Sequence, residues 1–289
     1  MAYSEIVNKV DDFKTDNFGL GLEYSYVIWN SLFQMKERTF LALIAPHKTS
    51  QQWTDARDPF NQSTGPNTWL KAFPHAAGKM QSPVDIKTSL VVQDPQLLQR
   101  PLSWTYIPKN CKSLLNTGEG WKVIVEGQDS CLTGGPLEHS YQLVQFHCHW
   151  GKCCSSGSEH TVDGKGYAGE VGKHNEELMK ITDLLHDIAN KGNECTLPRV
   201  VDPSAFIPEV HDYWTYEGSL TTPPCHESVT WIIFKKPIEV SEEQLEKCRN
   251  LFSSTIKAIV NGEPVPGKVT QNVRPTQPLN DRTIREAPY

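Results

Sequence analysis

The sequence lacks a long apolar run, a basic cluster and a low-complexity segment. The best candidate for a targeting or membrane segment, MKERTFLALIAP (residues 35–46), contains an apolar run that is short even for a signal peptide. It falls far below the roughly 18 apolar residues that a membrane helix needs. The net charge of −6, with no Lys/Arg cluster, argues against a nucleic-acid surface. We therefore expect neither a membrane nor a nucleic-acid partner.

The cysteines lack the regular spacing of a disulfide framework. The first residues, MAYSEIVNKVDDFK, mix charged with apolar positions and do not contain the hydrophobic core of a signal peptide. Reduced thiols in the cytosol are the default for such a chain, so we predict a cytoplasmic protein. We also expect a monomer. The eight cysteines are Cys111, Cys131, Cys148, Cys153, Cys154, Cys195, Cys225 and Cys248.

The chain changes character near residue 60. Residues 1–58 show no turn-bounded strand series and no sustained helical period, so we treat them as an N-terminal extension without an assigned role. Beyond them, short strand-like runs alternate with Pro/Gly/Asn turns, most clearly at residues 121–127, 141–150 and 229–240. We predict that residues 59–289 form one mixed, β-dominated (α+β) domain with a mostly antiparallel sheet.

Two segments of this domain have helical apolar spacing. Residues 175–191 follow a candidate N-cap at Asn175, end before Gly192, and carry the stripe Leu178, Ile181, Leu185 and Ile188. Residues 241–252 open with a capping box and carry Leu245, Cys248 and Phe252 on one face; the box residues are Ser241 and Gln244.

The segment QFHCHWG (residues 145–151) places two histidines inside an apolar run. Alternation along a strand sends Gln145, His147 and His149 to one face and the apolar residues to the other. Two imidazoles on one face can converge on a metal ion. The alternative is a coincidence in which each ring is satisfied by local hydrogen bonds.

Four further segments add polar and aromatic side chains in a fixed order: QSPVDI (81–86), GSEHTVDG (157–164), YWTYEGSLTTPPC (213–225) and NVRPTQPLNDR (272–282). Each alone is weak, because SLTTPP can be a rigid turn and EH a solvated pair. Together with GPNTW, GGPL and VTWI, in this order, the set resembles the alpha-class carbonic anhydrases from about residue 65 to residue 282.

The resemblance implies a central twisted, mostly antiparallel sheet with zinc at the base of a cone-shaped cleft. It also implies reversible hydration of a small-molecule substrate, carbon dioxide, to bicarbonate and a proton. That reaction needs hydroxide near neutral pH, where free hydroxide is scarce. In this family the zinc ion lowers the pKa of its bound water to about 7, an established property of the family and not a result from this chain.

The resemblance also implies roles for individual residues. His147 and His149 match two zinc ligands, and Gln145 matches the amide that holds the other nitrogen of the first ligand. Thr221 matches the hydroxyl that accepts from zinc-bound hydroxide, and Glu159 matches the carboxylate that accepts from Thr221. Further matches are the pocket-lining residues Leu220, Thr222 and Trp231 and the buttressing residues His160 and Tyr216.

The match fails where the third histidine ligand should follow. The family reads there as a tyrosine, two small residues, a glutamate, an apolar residue and a histidine, whereas this chain reads YAGEVGKHNEEL (167–178). Glu170 fits the residue that orients the third imidazole, but Gly172 occupies the ligand position. A stretch of about two strands is missing after Glu170. We therefore expect weaker zinc binding and a sheet that is incomplete in its central strands.

His174 is the candidate substitute for the third ligand. It shares a strand face with Glu170 and Gly172, but lies one pleat repeat, roughly 6–7 Å, too far along. The alternative is a solvated histidine just before the next helix.

Glu119 occupies the position of the family's proton-shuttle histidine. A carboxylate of ordinary pKa is a poor shuttle at neutral pH, since the best shuttle titrates near the working pH. Three hypotheses follow for the chain: a zinc-dependent carbonate dehydratase, a catalytically impaired relative that keeps the fold as a binding module, and an aberrant splice product that lacks an internal segment.

Overall fold

The computed structural model describes residues 26–32, 40–44, 65–152, 157–166, 172–260 and 263–287. Within these residues the strands are β1 (Tyr26–Leu32), β2 (Phe40–Ile44), β3 (Asp85–Ile86), β4 (Val92–Gln93), β5 (Ser103–Thr105), β6 (Cys111–Asn116), β7 (Trp121–Val125), β8 (Cys131–Thr133), β9 (Tyr141–Gln142), β10 (Gln145–His149), β11 (Thr161–Val162), β12 (Lys165–Gly166), β13 (Glu194–Thr196), β14 (Tyr213–Gly218), β15 (Val229–Phe234), β16 (Phe252–Val260), β17 (Glu263–Lys268) and β18 (Arg285–Glu286). The α-helices are α1 (Gln96–Gln99), α2 (Glu176–Thr182) and α3 (Glu242–Arg249). Short 3-10 helices span Pro66–Lys71, Pro74–Ala77, Thr88–Leu90, Pro108–Asn110 and Pro203–Phe206.

Ten of the strands form one sheet in the order β13-β6-β7-β10-β2-β1-β15-β14-β18-β4. Neighbours in this sheet are antiparallel except β1 with β15 and β18 with β4. Smaller sheets join β12-β11-β3, β16-β17 and β5-β8-β9. The predicted β-dominated, mostly antiparallel class is therefore confirmed.

Strand β10 has one face in the main apolar core. Phe146, Cys148 and Trp150 are buried there, with Trp121 and Phe206 packed against Phe146 at ring-centroid distances of 6.5 and 5.7 Å. Because side chains alternate along a strand, a register slip of one residue would expose these apolar groups. Core packing therefore fixes the opposite face of β10 as the face that carries Gln145, His147 and His149.

Both predicted helices form, but each is shorter than its apolar pattern. Helix α2 begins after Asn175, whose side chain accepts a hydrogen bond from the Leu178 amide at 2.9 Å. It stops at Thr182, because the next turns use three-residue bonds such as Leu184 N–H to the Ile181 carbonyl at 3.0 Å. Leu185 and Ile188 still point into the core, so the stripe was interpreted correctly and only the helix length was wrong.

Helix α3 has the predicted capping box, with Ser241 and Gln244 bonding each other's backbone amides. It ends at Arg249, and Phe252 opens β16 instead of continuing the helix. None of the helices among the described residues is long and apolar enough to span a bilayer.

The N-terminal extension contributes two strands to the centre of the main sheet. β2 pairs antiparallel with β10, and β1 pairs antiparallel with β2 and parallel with β15. The expectation that residues 1–58 lack strands is therefore wrong at β1 and β2, and the sheet is continuous where we expected a gap. A central strand reads as a short apolar run such as FLALI without the period-2 signal, which is why the sequence pattern missed it.

Replacing Phe146 tests the claim that core packing fixes the face of β10. Phe146 is fully buried between aromatic rings, so Phe146→Ala should lower the free energy of unfolding by about 3–5 kcal/mol through lost burial and a residual cavity. Urea denaturation measures this loss. The control is Leu98→Ala, at a side chain 56% exposed, which should change stability by less than about 0.5 kcal/mol. Equal losses in both variants would contradict the assignment.

Candidate metal centre

The two histidines of β10 line an open cleft of about 470 Å³. Their Nε2 atoms lie 3.1 Å apart, and the ring centroids are 5.0 Å apart. Gln145, Glu119 and Thr222, all predicted site residues, line the same cleft. The strand alternation inferred from QFHCHWG is thus the feature that brings the imidazoles together.

The other nitrogen of each ring is held by an oxygen acceptor. His147 Nδ1 lies 2.9 Å from Gln145 Oε1, and His149 Nδ1 lies 2.6 Å from the backbone carbonyl of Asn272. An oxygen acceptor takes the Nδ1 proton, so the neutral ring presents an unprotonated Nε2 to the cleft. Both Nε2 lone pairs therefore face the same point.

The electrostatics keep His147 neutral. Burial, together with the nearby His149 and Lys122, holds the pKa of His147 well below its ordinary value. Two lone pairs 3.1 Å apart repel each other unless a cation or a proton lies between them. The pair consequently has the donor chemistry of two zinc ligands, since neutral imidazole nitrogens are common ligands of that ion.

The fit to zinc is incomplete because a third protein ligand is not found among the described residues. Catalytic zinc sites usually have three protein ligands and a water. Within the described ranges, no three side chains of His, Cys, Asp and Glu form a group that could hold a metal ion. The residues present therefore provide two of the three ligands that the resemblance implies.

The structure does not bring His174 to this centre. His174 is exposed, and its Nδ1 lies 3.5 Å from Ser241 Oγ at the start of α3. The next residue, Asn175, exchanges hydrogen bonds with Gln244 at 3.0 and 2.8 Å, which fixes this stretch on α3. His174 as a substitute ligand is thus corrected to the alternative, an exposed residue before helix α2.

Gly172, at the position expected for the third ligand, also lies away from the two histidines. A Cβ atom built on Gly172 would approach Glu239 Cβ to 2.8 Å, so Gly172 packs beside Glu239 and not beside the histidines. Glu170, expected to orient a third imidazole, lies outside the described residues.

Glu159 and Thr221, the two residues expected to form the relay, are both buried, and Glu159 lies close to His149. Glu159 is 2% exposed; its Oε1 accepts from the Arg274 amide at 3.2 Å, and its Oε2 lies 3.6 Å from His149 Nε2. Thr221 is buried in the turn after β14, where the Leu220 amide donates to the His226 carbonyl at 3.0 Å. This turn also carries Thr222 into the cleft lining.

His160 and Tyr216, the residues expected to buttress the site, form a buried aromatic network with Trp231. His160 Nε2 lies 2.6 Å from the Tyr216 hydroxyl, which lies 2.8 Å from Ser82 Oγ. The Trp231 ring stacks on Tyr216 and lies 4.6 Å from His160. Burial lowers the pKa of His160 to about 3 and raises the pKa of Tyr216. Both groups are therefore uncharged near neutral pH.

Sequence reasoning gave no role to Asn272, which holds several parts of the site together. Its carbonyl accepts from His149, its Oδ1 accepts from the Trp150 amide at 2.6 Å, and its Nδ2 donates to the carbonyls of Glu119 and Cys148 at 3.0 and 3.1 Å. The only sequence signal was its place at the start of the NVRPTQPLNDR segment.

Lys122 is a second residue that sequence reasoning missed. It lies opposite His147 in the pairing of β7 with β10 and lines the cleft. Burial lowers its pKa. Alternation along residues 121–127 could have placed Lys122 on this face once the pairing partner of β7 was known.

Comparison with known proteins gives one consistent family. The model of the eukaryotic-type carbonic anhydrase family matches residues 64–172 and residues 170–288 in two segments. Carbonic anhydrase 1 of Mus musculus is 42% identical over 261 residues, covering 78% of this chain and 96% of the relative. Carbonic anhydrase 3 of Homo sapiens is 38% identical over 254 residues, covering 76% of this chain and 94% of the relative.

The buried His160 predicts acid sensitivity of the fold. Its pKa is about 3 in the folded chain, against an ordinary value of 6.5 when unfolded. Between these values the unfolded chain binds one more proton at this residue. Acidification therefore lowers the free energy of unfolding by up to about 1.4 kcal/mol per pH unit, and this contribution is fully present only above the unfolded pKa.

The matched variants are His160→Asn and His186→Asn. The first removes the buried titrating group, so its stability should fall less steeply between about pH 4 and pH 6, by about one proton. The second alters a side chain that is 77% exposed and should keep the wild-type slope. Urea unfolding at several pH values measures both slopes. An unchanged slope in His160→Asn would refute the prediction.

Proposed function

The chain belongs to the eukaryotic-type carbonic anhydrase family, and on that premise we propose that its cleft catalyses the reversible hydration of carbon dioxide to bicarbonate and a proton with zinc. By family it is a lyase, a carbonate dehydratase. The observation that carries the proposal is the facing pair His147 and His149, whose Nε2 atoms are 3.1 Å apart while both Nδ1 atoms are held by oxygen acceptors.

His147 and His149 would hold the zinc ion, whose contribution is to acidify a water molecule so that a nucleophile exists near neutral pH. Gln145 and the Asn272 carbonyl fix the tautomer and the direction of each ring. Since ligand geometry is set before the ion arrives, the two rings need little reorganisation to bind it. With two histidines and no third, we expect the ion to be held weakly.

We assign the orientation of the attacking water to Thr221 and Glu159. In this assignment the Thr221 hydroxyl accepts a hydrogen bond from the nucleophile and donates a hydrogen bond to the Glu159 carboxylate. Burial of both side chains supports this role, because exposed groups would be satisfied by bulk water instead. The nucleophile is then left with a lone pair directed at the carbon of carbon dioxide.

We assign the walls of the substrate pocket to Leu220, Thr222 and Trp231. Trp231 is buried and donates from Nε1 to the Ser219 carbonyl at 3.2 Å, and Leu220 packs against its cluster. Thr222 supplies a polar group at the cleft lining. An apolar wall suits carbon dioxide, a small molecule without net charge.

We propose a cytoplasmic, monomeric enzyme. The six cysteines among the described residues are free thiols, which supports a reducing compartment.

A second candidate is a relative that keeps the fold and binds a partner without holding zinc. The observation that favours it is the lack of a three-residue metal group within the described parts of the chain. An aberrant product without an internal segment is a third possibility, supported by the break of the family match at residues 170–172.

Zinc content and activity of the full chain test the proposal directly. We expect about one zinc ion per chain in excess zinc, loss of that ion to a mild chelator, and carbon dioxide hydration that a sulfonamide inhibits. Gln145→Ala should lower zinc affinity by about 10–100-fold, because His147 loses its orienting acceptor. His147→Ala should abolish zinc binding and hydration.

The control for both variants is His186→Ala, at an exposed histidine, which should leave zinc binding and hydration unchanged. Elemental analysis and stopped-flow hydration assays give the two readouts. A folded chain that retains no zinc even in excess metal would replace this proposal with the non-catalytic relative.

The cleft residue Glu119 gives an independent kinetic prediction. A carboxylate normally titrates near pH 4, so it transfers protons poorly at neutral pH. Glu119→His should raise the hydration rate at least about tenfold in dilute buffer, and concentrated imidazole buffer should remove the difference. The control is Glu138→His at an exposed position outside the cleft. Equal rates for the two variants in dilute buffer would contradict the assignment of Glu119 to the proton path.

A further inference from the structure

Strands β1 and β2 come from outside the family-matched part of the chain, yet they lie in the middle of the catalytic sheet. The family match begins at residue 64, whereas β1 and β2 span residues 26–32 and 40–44. In the sheet they stand between β10, which carries the histidines, and β15, which carries Trp231.

The chain is shorter than the family pattern at another place, and the missing length, about two strands, is similar to the length that β1 and β2 add. The family match is split at residues 170–172, the place where the sequence pattern predicts that about two strands are missing. The two alignments with relatives have 261 and 254 positions but cover only 78% and 76% of the 289 residues, as expected if internal positions have no counterpart here. The sequence pattern is thus shorter than the family's by about two strands after Glu170, and two strands that the family match does not cover are present before residue 64.

Backbone hydrogen bonding gives the physical reason for the replacement. β10 is paired with β7 on one edge, and β15 is paired with β14 on one edge. Without β1 and β2, each would carry a row of unpaired N–H and C=O groups at the centre of the domain. β2 pairs with β10 over five residue pairs, and β1 pairs with β15 over six, so both edges are satisfied.

We propose that β1 and β2 form a replacement hairpin that completes the catalytic sheet of their own chain and sets Ala42, in place of a histidine, in register with His147. The sheet-completing role does not depend on carbon dioxide hydration. The consequence for metal binding rests on the zinc centre proposed above.

The register defines that consequence. Ala42 lies directly opposite His147, and Phe40 lies opposite His149. Directly opposed residues of an antiparallel pair share a face, with Cβ atoms about 4.5–5.5 Å apart. The register therefore places position 42 on the face of the sheet that carries His147, and alanine has no donor atom for a metal ion. The two-histidine centre follows from which segment fills the sheet, and one substitution would complete it.

The native Cys148 allows a direct test of the hairpin in the full chain. Cys148 lies opposite Leu41, and paired residues are within the Cα separation that a disulfide spans. Leu41→Cys should form a disulfide with Cys148 under mild oxidation, within one chain, as identified by peptide mapping. Ala42→Cys, shifted by one residue to the other face, is the matched control and should not cross-link to Cys148.

Hydrogen exchange of the unmodified protein is a second measurement that needs no variant. Peptides covering residues 26–32 and 40–44 should exchange as slowly as peptides covering β10 and β15. Exchange at the rate of an unfolded peptide, or no bond between positions 41 and 148 in a folded Leu41→Cys variant, would overturn the hairpin. A bond formed only between two chains would also overturn it, because the strands would then come from a second copy.

Ala42→His tests the metal consequence. It should increase zinc retention against a chelator by at least about 100-fold and give cobalt(II) the absorption of a four-coordinate site, while Ala42→Leu should do neither. If the bond between positions 41 and 148 forms but Ala42→His gains no metal affinity, the zinc centre is wrong and the hairpin remains. If that bond does not form, the hairpin is wrong whatever the hydration activity.

Discussion

The strict alternation of side chains along β10 is the constraint on which the site depends. Phe146, Cys148 and Trp150 are held in the main core, so the intervening His147 and His149 have to face the cleft. The same burial that stabilises the domain therefore points the imidazoles, and no separate device is needed to choose their face. Any rearrangement that turned the histidines away would also take these three buried side chains out of the core.

The orientation of the two imidazole rings is set by hydrogen bonds to acceptors at very different distances along the chain. Gln145 is two residues from His147 on the same strand, whereas the acceptor for His149 is a backbone carbonyl at Asn272, more than a hundred residues further along the chain. The Asn272 side chain then ties this distant segment to Trp150, Cys148 and Glu119. Ring direction at the centre is thus coupled to the docking of the C-terminal segment.

The sequence predicted the features that depend on contacts between residues close together in the chain. The capping box at Ser241, the cap at Asn175 and the strand alternation at 145–149 all use contacts within four residues, and all appear in the structure. The resemblance added the sheet class and the order of the motifs. The length of α2 was missed because three-residue bonds replace the helical ones after Thr182, a choice that apolar spacing does not encode.

The non-local parts were beyond the sequence pattern. β2 finds its partner about a hundred residues away at β10, and no periodicity in FLALI says which edge it will meet. The same holds for Asn272, because every residue has a backbone carbonyl and the sequence does not indicate which one will accept a hydrogen bond from His149. His174 was placed by assuming that strand alternation continues past Gly172, and the capping of α2 ended that alternation.

The parallel pairing of β1 with β15 has a consequence for the time course of biosynthesis. About two hundred residues separate the paired positions Ile28 and Trp231. At typical elongation rates of 5–20 residues per second, the first strand waits roughly 10–40 s on the ribosome before its partner emerges. β2 follows within a few residues and can pair with one edge of β1, but the edge that faces β15 stays unpaired during that interval and is open to pairing with other chains.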